Sequence, residues 1–225
     1  MKTIGHYRKI FLIVPVFFLM LWAGYKCFFY FDKKSEEKAI KIHKNKTRLS
    51  QDEINLLEEG DFILRRGFGF FSDFVAKRLN DSDIDVTHAG ILICHQNQWH
   101  VIHALSSDVT PIDGMQMQTL NTFLNHSQPG KIIVTRTKNT TPETSIEIIE
   151  KAIYYLDNKI PFDHHGNFED DDKLYCTELI WRILEKDLNL LSLPKSEEAR
   201  KKLFYTMNAM YDEQYFDIII NQYTH

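Results

Sequence analysis

The stretch LYCTELIW, Leu174 to Trp181, puts a cysteine and a glutamate where a polar run gives way to an amphipathic helix. A lone cysteine on a helix is commonly a small buried hydrophobe. At a helix start, however, unpaired backbone N–H groups and the positive end of the dipole lower a thiol's pKa and favour the thiolate. The backbone N–H of Cys176 would then also stabilise the oxyanion of a tetrahedral intermediate. Local pattern leaves both roles open, so the rest of the chain has to decide between them.

The chain has 225 residues, of which 44% are hydrophobic and 26% charged, with a formal charge of -4. Those proportions describe a folded, slightly acidic protein and give no basic surface for nucleic acid. Its three cysteines, Cys27, Cys94 and Cys176, form neither a CxxC pair nor a disulfide framework. Residues 1–31 contain an apolar run, Ile10 to Phe31, interrupted only by Pro15 and Lys26, which is long enough to span a bilayer. Ala23 and Gly24 are followed by Tyr25 and Lys26 rather than by a small-residue cleavage pattern, which favours an uncleaved membrane anchor over a removed signal. Residues 32–49 are charged with little apolar periodicity and suggest a flexible tether. Residues 50–225 remain for one domain.

That domain opens on a capping box, Ser50 with Glu53, and a short helix that ends at Gly60. DFILR, Asp61 to Arg65, alternates as a strand, and Phe70 to Asn80 has helical spacing. HAGILIC from His88 and WHVIHA to Ala104 are predicted as the two strands of a hairpin, with its turn at Asn97 and Gln98. Lys131 to Arg136 is a further strand. Pro142 opens a long helix, and a loop from Asp157 leads to the helix of Cys176. Mixed elements without repeats predict a single α+β domain.

His88 and His103 stand at opposite ends of the hairpin strands, so antiparallel pairing brings them to neighbouring positions on one face. With Cys176 they suggest a nucleophile, a base and an orienting group, and a thiolate–imidazolium pair. Each histidine taken alone is equally well a strand cap or a satisfied core residue. Zinc uses the same ligand types, but the spacings match no zinc-binding form. The acidic run in HHGNFEDDDK, His164 to Lys173, lacks calcium-loop spacing and is expected to be a solvated loop.

In order along the chain, GDFILRRG, THAGILI, WHVIHA, IPFDHHGNF and KLYCTELIW resemble the YiiX/YebB-like branch of the NlpC-type cysteine hydrolases, a circularly permuted papain-like group. The resemblance covers most of Glu59 to Leu184. It implies an antiparallel, partly closed sheet packed against helices, with the cysteine helix lying against the sheet. It further implies His88 as catalytic histidine, Cys176 as nucleophile and His103 as the third, polar residue. Tyr175 is expected to line the site and Glu178 to support it from the first turn of the helix. Asp61 is expected in a turn, and Asp163 and Phe168 in the loop before the cysteine.

The implied activity is amide hydrolysis through a thioester, without metal or organic cofactor, on a cell-wall peptide or another envelope amide. A thioester-forming acyltransferase or lipid hydrolase similar to lecithin:retinol acyltransferase uses the same residues, and a non-catalytic envelope-binding domain is a further alternative. Basic residues from Lys33 to Arg48 favour a cytoplasmic domain. Lys2, Arg8 and Lys9 ahead of the apolar run, together with the family's envelope substrates, favour the periplasm or exterior, and that side of the membrane is the one expected.

Overall fold

A computed structural model of the chain describes residues 3–80, 83–166, 172–192 and 207–223. Phe168 and most of the acidic run after Gly166 lie outside the described residues. Six strands are present among the described residues: β1 (Phe62–Arg65), β2 (His88–His95), β3 (Gln98–Leu105), β4 (Gly114–Thr119), β5 (Ile132–Thr137) and β6 (Phe216–Asn221). They form one sheet in the order β4-β3-β2-β1-β5-β6, every neighbouring pair antiparallel. The β2–β3 hairpin turns through Gln96 and Asn97, both at positive φ, one residue earlier than the sequence suggests. Two such residues in succession match the right-handed twist of the strands they join. The α+β class and the antiparallel sheet packed against helices are therefore as expected.

Both faces of the sheet are covered. On one face Phe62, Leu64, Ala89, Ile91, Ile102 and Ile133 pack with α5 (Pro142–Asp157) and α6 (Cys176–Trp181). Helix α5 starts on Thr141, whose hydroxyl accepts from the Thr144 N–H with Pro142 at the first turn, and it buries Ile148, Ala152 and Tyr155 at helical spacing. On the other face Ile63, Leu92, Val101, Ile132 and Val134 meet Leu49, Leu57 and the short helix α4 (Leu120–Asn125), which contributes Leu120, Phe123 and Leu124. The Ser50/Glu53 capping box forms, but its helix α2 (Gln51–Ile54) stops well before Gly60. Asp61 lies in the following turn, accepting the Glu58 N–H at 2.8 Å and pairing with Arg136 at 2.6 Å.

The N-terminal segment differs most from the sequence expectation. Helix α1 runs without a break from Thr3 to Ile42, through the boundary placed at residue 31. It contains one span long and apolar enough to cross a membrane, as an anchor or a signal sequence would. The charged stretch read as a flexible tether is helical to Ile42, and Asp32, Arg48 and Leu49 are buried. Its docking uses polar groups: Asp32 accepts the Phe71 N–H at 3.1 Å, Glu36 meets His126 at 2.9 Å, and Arg48 donates to the Ser127 carbonyl at 2.6 Å. Contacts of this kind leave no apolar period in the sequence.

Gly90 permits the closest approach within the hairpin. A Cβ there would overlap Val101 Cγ1 and come within 3.1 Å of the Ile102 carbonyl oxygen and 3.2 Å of His103 Cβ. Gly90→Ala is expected to cost about 1–3 kcal/mol by overpacking. Thermal melts should record this at about 2–4 °C per kcal/mol, and the displaced His103 should alter the titration of His88 as seen by NMR.

Candidate active site

The site forms at one end of the sheet, where β1 finishes on Arg65 and β2 begins on His88 directly opposite it. Strand alternation sends His88 and His103 to the α4 face, and both rings pack on Phe123, at 5.7 and 5.4 Å between centroids. His88 Nε2 and His103 Nδ1 are 2.9 Å apart, a hydrogen bond between two buried rings. Gln116 lies across from His103 on β4, and Gln118 is a neighbour on the same face. Among the described residues His103 Nε2 has no full hydrogen-bond partner.

Cys176 arrives from the opposite face, on the first turn of α6, which packs on the apolar side of β2 and β3. The local sequence explains this placement. Glu178, three residues after Tyr175, accepts the Tyr175 N–H at 3.2 Å, while Leu179, Ile180 and Trp181 are buried. Glu178 is itself buried and faces Arg182 across 3.9 Å. Cys176 and His88 thus approach each other around the end of the sheet and open onto one cavity of about 390 Å³. Tyr175 and Arg65 line it too. Among the described residues neither histidine hydrogen-bonds the thiol. The backbone N–H groups of Ala89, Thr177 and Cys176 surround it instead. Catalytic hydrogen bonds are often long before substrate binds.

Electrostatics here reverse one expectation. Burial pushes the Cys176 thiol up, against the opposing pull of those N–H groups and the Arg65 cation. Burial, then Arg65, His103 and His126, holds His88 well below the ordinary imidazole value, and burial with Arg65 and His126 takes His103 down to about 3. Burial thus shifts both groups toward their neutral forms, the direction opposite to the thiolate–imidazolium pair expected from the helix start. Arg65 was not singled out from the sequence, although an arginine closing the apolar strand FILR was a visible signal. Its guanidinium donates to the His126 carbonyl at 2.5 Å and lies 4.8 Å from the Phe123 ring centre, and burial lowers it to about 10.

A histidine on an early strand and a cysteine on a late helix, served by one sheet, define a papain-like hydrolase in permuted order. The chain belongs to the family described as permuted papain-like amidase enzyme, YaeF/YiiX, C92, which it matches over residues 57–217. Among solved structures it is similar to the crystal structure of metalloprotein yiiX from Escherichia coli O157:H7, with a TM-score of 0.56 at 19% identity, covering 73% of this chain and 97% of that one. Among curated proteins there is no match.

That yiiX protein is described as a metalloprotein, which raises the question of a metal in this chain. His88 Nε2 and His103 Nδ1 are turned on each other at hydrogen-bond distance, and a buried guanidinium stands beside them. Among the described residues no three His, Cys, Asp or Glu groups converge as ligands. This arrangement does not fit a metal ion.

Two pH measurements probe the site. Alkylation of Cys176 by iodoacetamide near neutral pH should be slower than that of exposed Cys94, and should keep rising into alkaline pH. Arg65→Met removes the nearby cation, which should push the thiol higher still and relax His88 upward. The acid limb of the kcat/KM profile, set by protonation of the base, should then move to higher pH. A limb that stays in place would show that Arg65 does not tune His88.

Proposed function

We propose that the protein is a membrane-anchored cysteine amidase that cleaves an amide of the cell envelope through Cys176, His88 and His103. The observation that carries this reading is the single cavity onto which Cys176 and His88 both open, with His88 backed by His103 at 2.9 Å. If His88 Nε2 donates to His103 Nδ1, the Nδ1 of His88 is left free to take the thiol proton as sulfur attacks the carbonyl. Deprotonation concerted with attack suits a neutral pair. The proton then passes to the leaving amine, and the same imidazole activates the water that cleaves the thioester. The N–H groups of Ala89, Thr177 and Cys176 around sulfur are candidates for holding the oxyanion. Tyr175 shapes the cavity and Glu178 fixes the helix start. An acyl-enzyme of this kind can equally hand its acyl group to an amine or lipid acceptor, and the apolar side chains around the cavity are compatible with that second reading.

The purified full chain should release amine from an amide panel that includes muropeptides, followed by mass spectrometry. Cys176→Ser should abolish turnover. His88→Ala should lose roughly 10²–10⁴-fold through loss of proton transfer, and His103→Ala should be impaired but measurable. Turnover that survives Cys176→Ser would overturn the mechanism.

The domain is proposed to face the periplasm or exterior, supported by the basic residues before the apolar run and the envelope reading of the substrate. Asn45, exposed beyond the end of α1, supplies a test. Asn45→Cys, with Cys27, Cys94 and Cys176 replaced, should be labelled in intact cells by a membrane-impermeant maleimide. Labelling only after lysis would place the domain in the cytoplasm.

A further inference from the structure

Charge is divided unevenly along the chain. Residues 1–49 hold eleven of its 27 lysines and arginines but only three of its 31 acidic residues, Asp32, Glu36 and Glu37, so this segment carries +8 and residues 50–225 carry -12. An asymmetry of that size points to a charged partner for one of the two parts. Docking of α1 sharpens it. Asp32 is buried and accepts the N–H of Phe71 in α3 (Phe70–Leu79), and Glu36 meets His126 at 2.9 Å. Both acids are thus turned inward, and the third, Glu37, is paired with Lys34 at 3.2 Å.

The lysines go the other way. At 3.6 residues per turn, Lys34, Lys38 and Lys41 lie about 170° around the helix from Phe29, Asp32 and Glu36, the residues that hold α1 to the domain. All three lysines are exposed, as are Lys33 and Lys44. On the same side, at the end of the apolar run, Tyr30 and Phe31 are 60% and 62% exposed, and Lys34 Nζ stands 6.0 Å from the Tyr30 ring centre. Aromatic rings followed by lysines suit a helix that leaves hydrocarbon through a headgroup layer. Lys34 is only about 5 Å of helix rise beyond Phe31, within that layer, and Lys41 is about 15 Å beyond it. A membrane helix stands about 20° from the bilayer normal on average. Leaning toward the lysine face brings Lys38 and Lys41 to the lipid phosphates and lifts the acidic domain, on the opposite side, away from them.

We propose that the outward face of α1, built on Lys34, Lys38 and Lys41, is a docking surface for anionic phospholipid headgroups of the leaflet from which the helix emerges. The proposal rests on the membrane-anchored reading and is independent of the amide chemistry. Phospholipid is the occupant because the face continues the apolar run and begins at headgroup height, so the anion is already present where the lysines stand. Lysines beside a span concentrate anionic lipid through an attraction that falls off within a Debye length. With its acids turned inward, α1 presents that attraction on one side only, which fixes the rotation of the domain about the helix axis relative to an anionic surface.

The test reconstitutes the full chain in phosphatidylcholine vesicles, with Cys27, Cys94 and Cys176 replaced and a donor fluorophore on Asn45→Cys, exposed past the end of α1. Energy transfer is compared for two acceptors at equal density, phosphatidylglycerol and phosphatidylcholine bearing the same fluorophore on an acyl chain. Phosphatidylglycerol should be enriched around the donor about threefold or more, and the enrichment should vanish in about 1 M salt, where charges are screened within about 3 Å. Lys34→Gln, Lys38→Gln and Lys41→Gln together should remove it. Lys138→Gln, Lys151→Gln and Lys159→Gln together, which take the same charge from the domain, should leave it unchanged. Enrichment that survives salt, or equal loss in the two triple variants, would overturn the proposal. Equal transfer to both acceptors would also overturn it and give the face to an acidic protein, a second copy of this chain included. Each of these outcomes leaves Cys176-dependent amide cleavage untouched. Release of the chain from the vesicles by alkaline carbonate would overturn the membrane anchor and this proposal with it.

Discussion

Arg65 is a permanent cation held almost out of water, and among the described residues it makes no ion pair. Its guanidinium has the His126 carbonyl, the face of Phe123 and, at longer range, the charge of Glu36. Isolating a charge in this way is costly, and the surroundings are arranged around that cost. Two imidazoles stay neutral beside it, a thiol is drawn part of the way back toward ionisation, and a carboxylate from a helix remote in sequence is positioned as the compensating charge. The electrostatics of His88, His103 and Cys176 and the docking of α1 are coupled through the same side chain.

The polar residues on the α4 face form a row across neighbouring strands, His88 on β2, His103 on β3 and Gln116 and Gln118 on β4, within an otherwise apolar layer that includes Leu92, Val101 and Phe123. Strand side chains alternate, so a slip of one residue would turn these groups to the face occupied by α5 and α6. Gly90 adds a steric condition, because only its bare backbone lets β3 come this close. The row thus selects the register as well as holding the ring of His88.

Much of this was legible in the sequence because it rests on local pattern. The hairpin that joins His88 to His103, the Thr141/Pro142 start of α5 and the Cys176 helix all carry caps, turns or periodicity that single segments display. Other features depend on distant partners. β4, GMQMQT, alternates methionine with glutamine and so carries a strand pattern, but that its glutamines share a face with His103 appears only once β3 is placed beside it. Asp32 and Glu36 look like solvated charges until α3 and His126 are placed beside them. The acidity of Cys176 depends on distant partners too: the helix start is visible in LYCTELIW, but the burial that pushes the thiol up is contributed by the whole end of the sheet. Nor does periodicity indicate that His88 and Cys176 come from opposite faces and open onto one cavity around an edge.

The continuity of α1 has a mechanical consequence. A helix with no joint between Phe31 and Ile42 transmits orientation as well as attachment. Only about 8 Å of helix rise separates Phe31, where the apolar run ends, from Glu36 on the wall of the cavity. With the apolar run seated in a bilayer, the domain would be mounted on a short post rather than on a leash: its height and the direction its opening faces would be set together by the tilt of one rod.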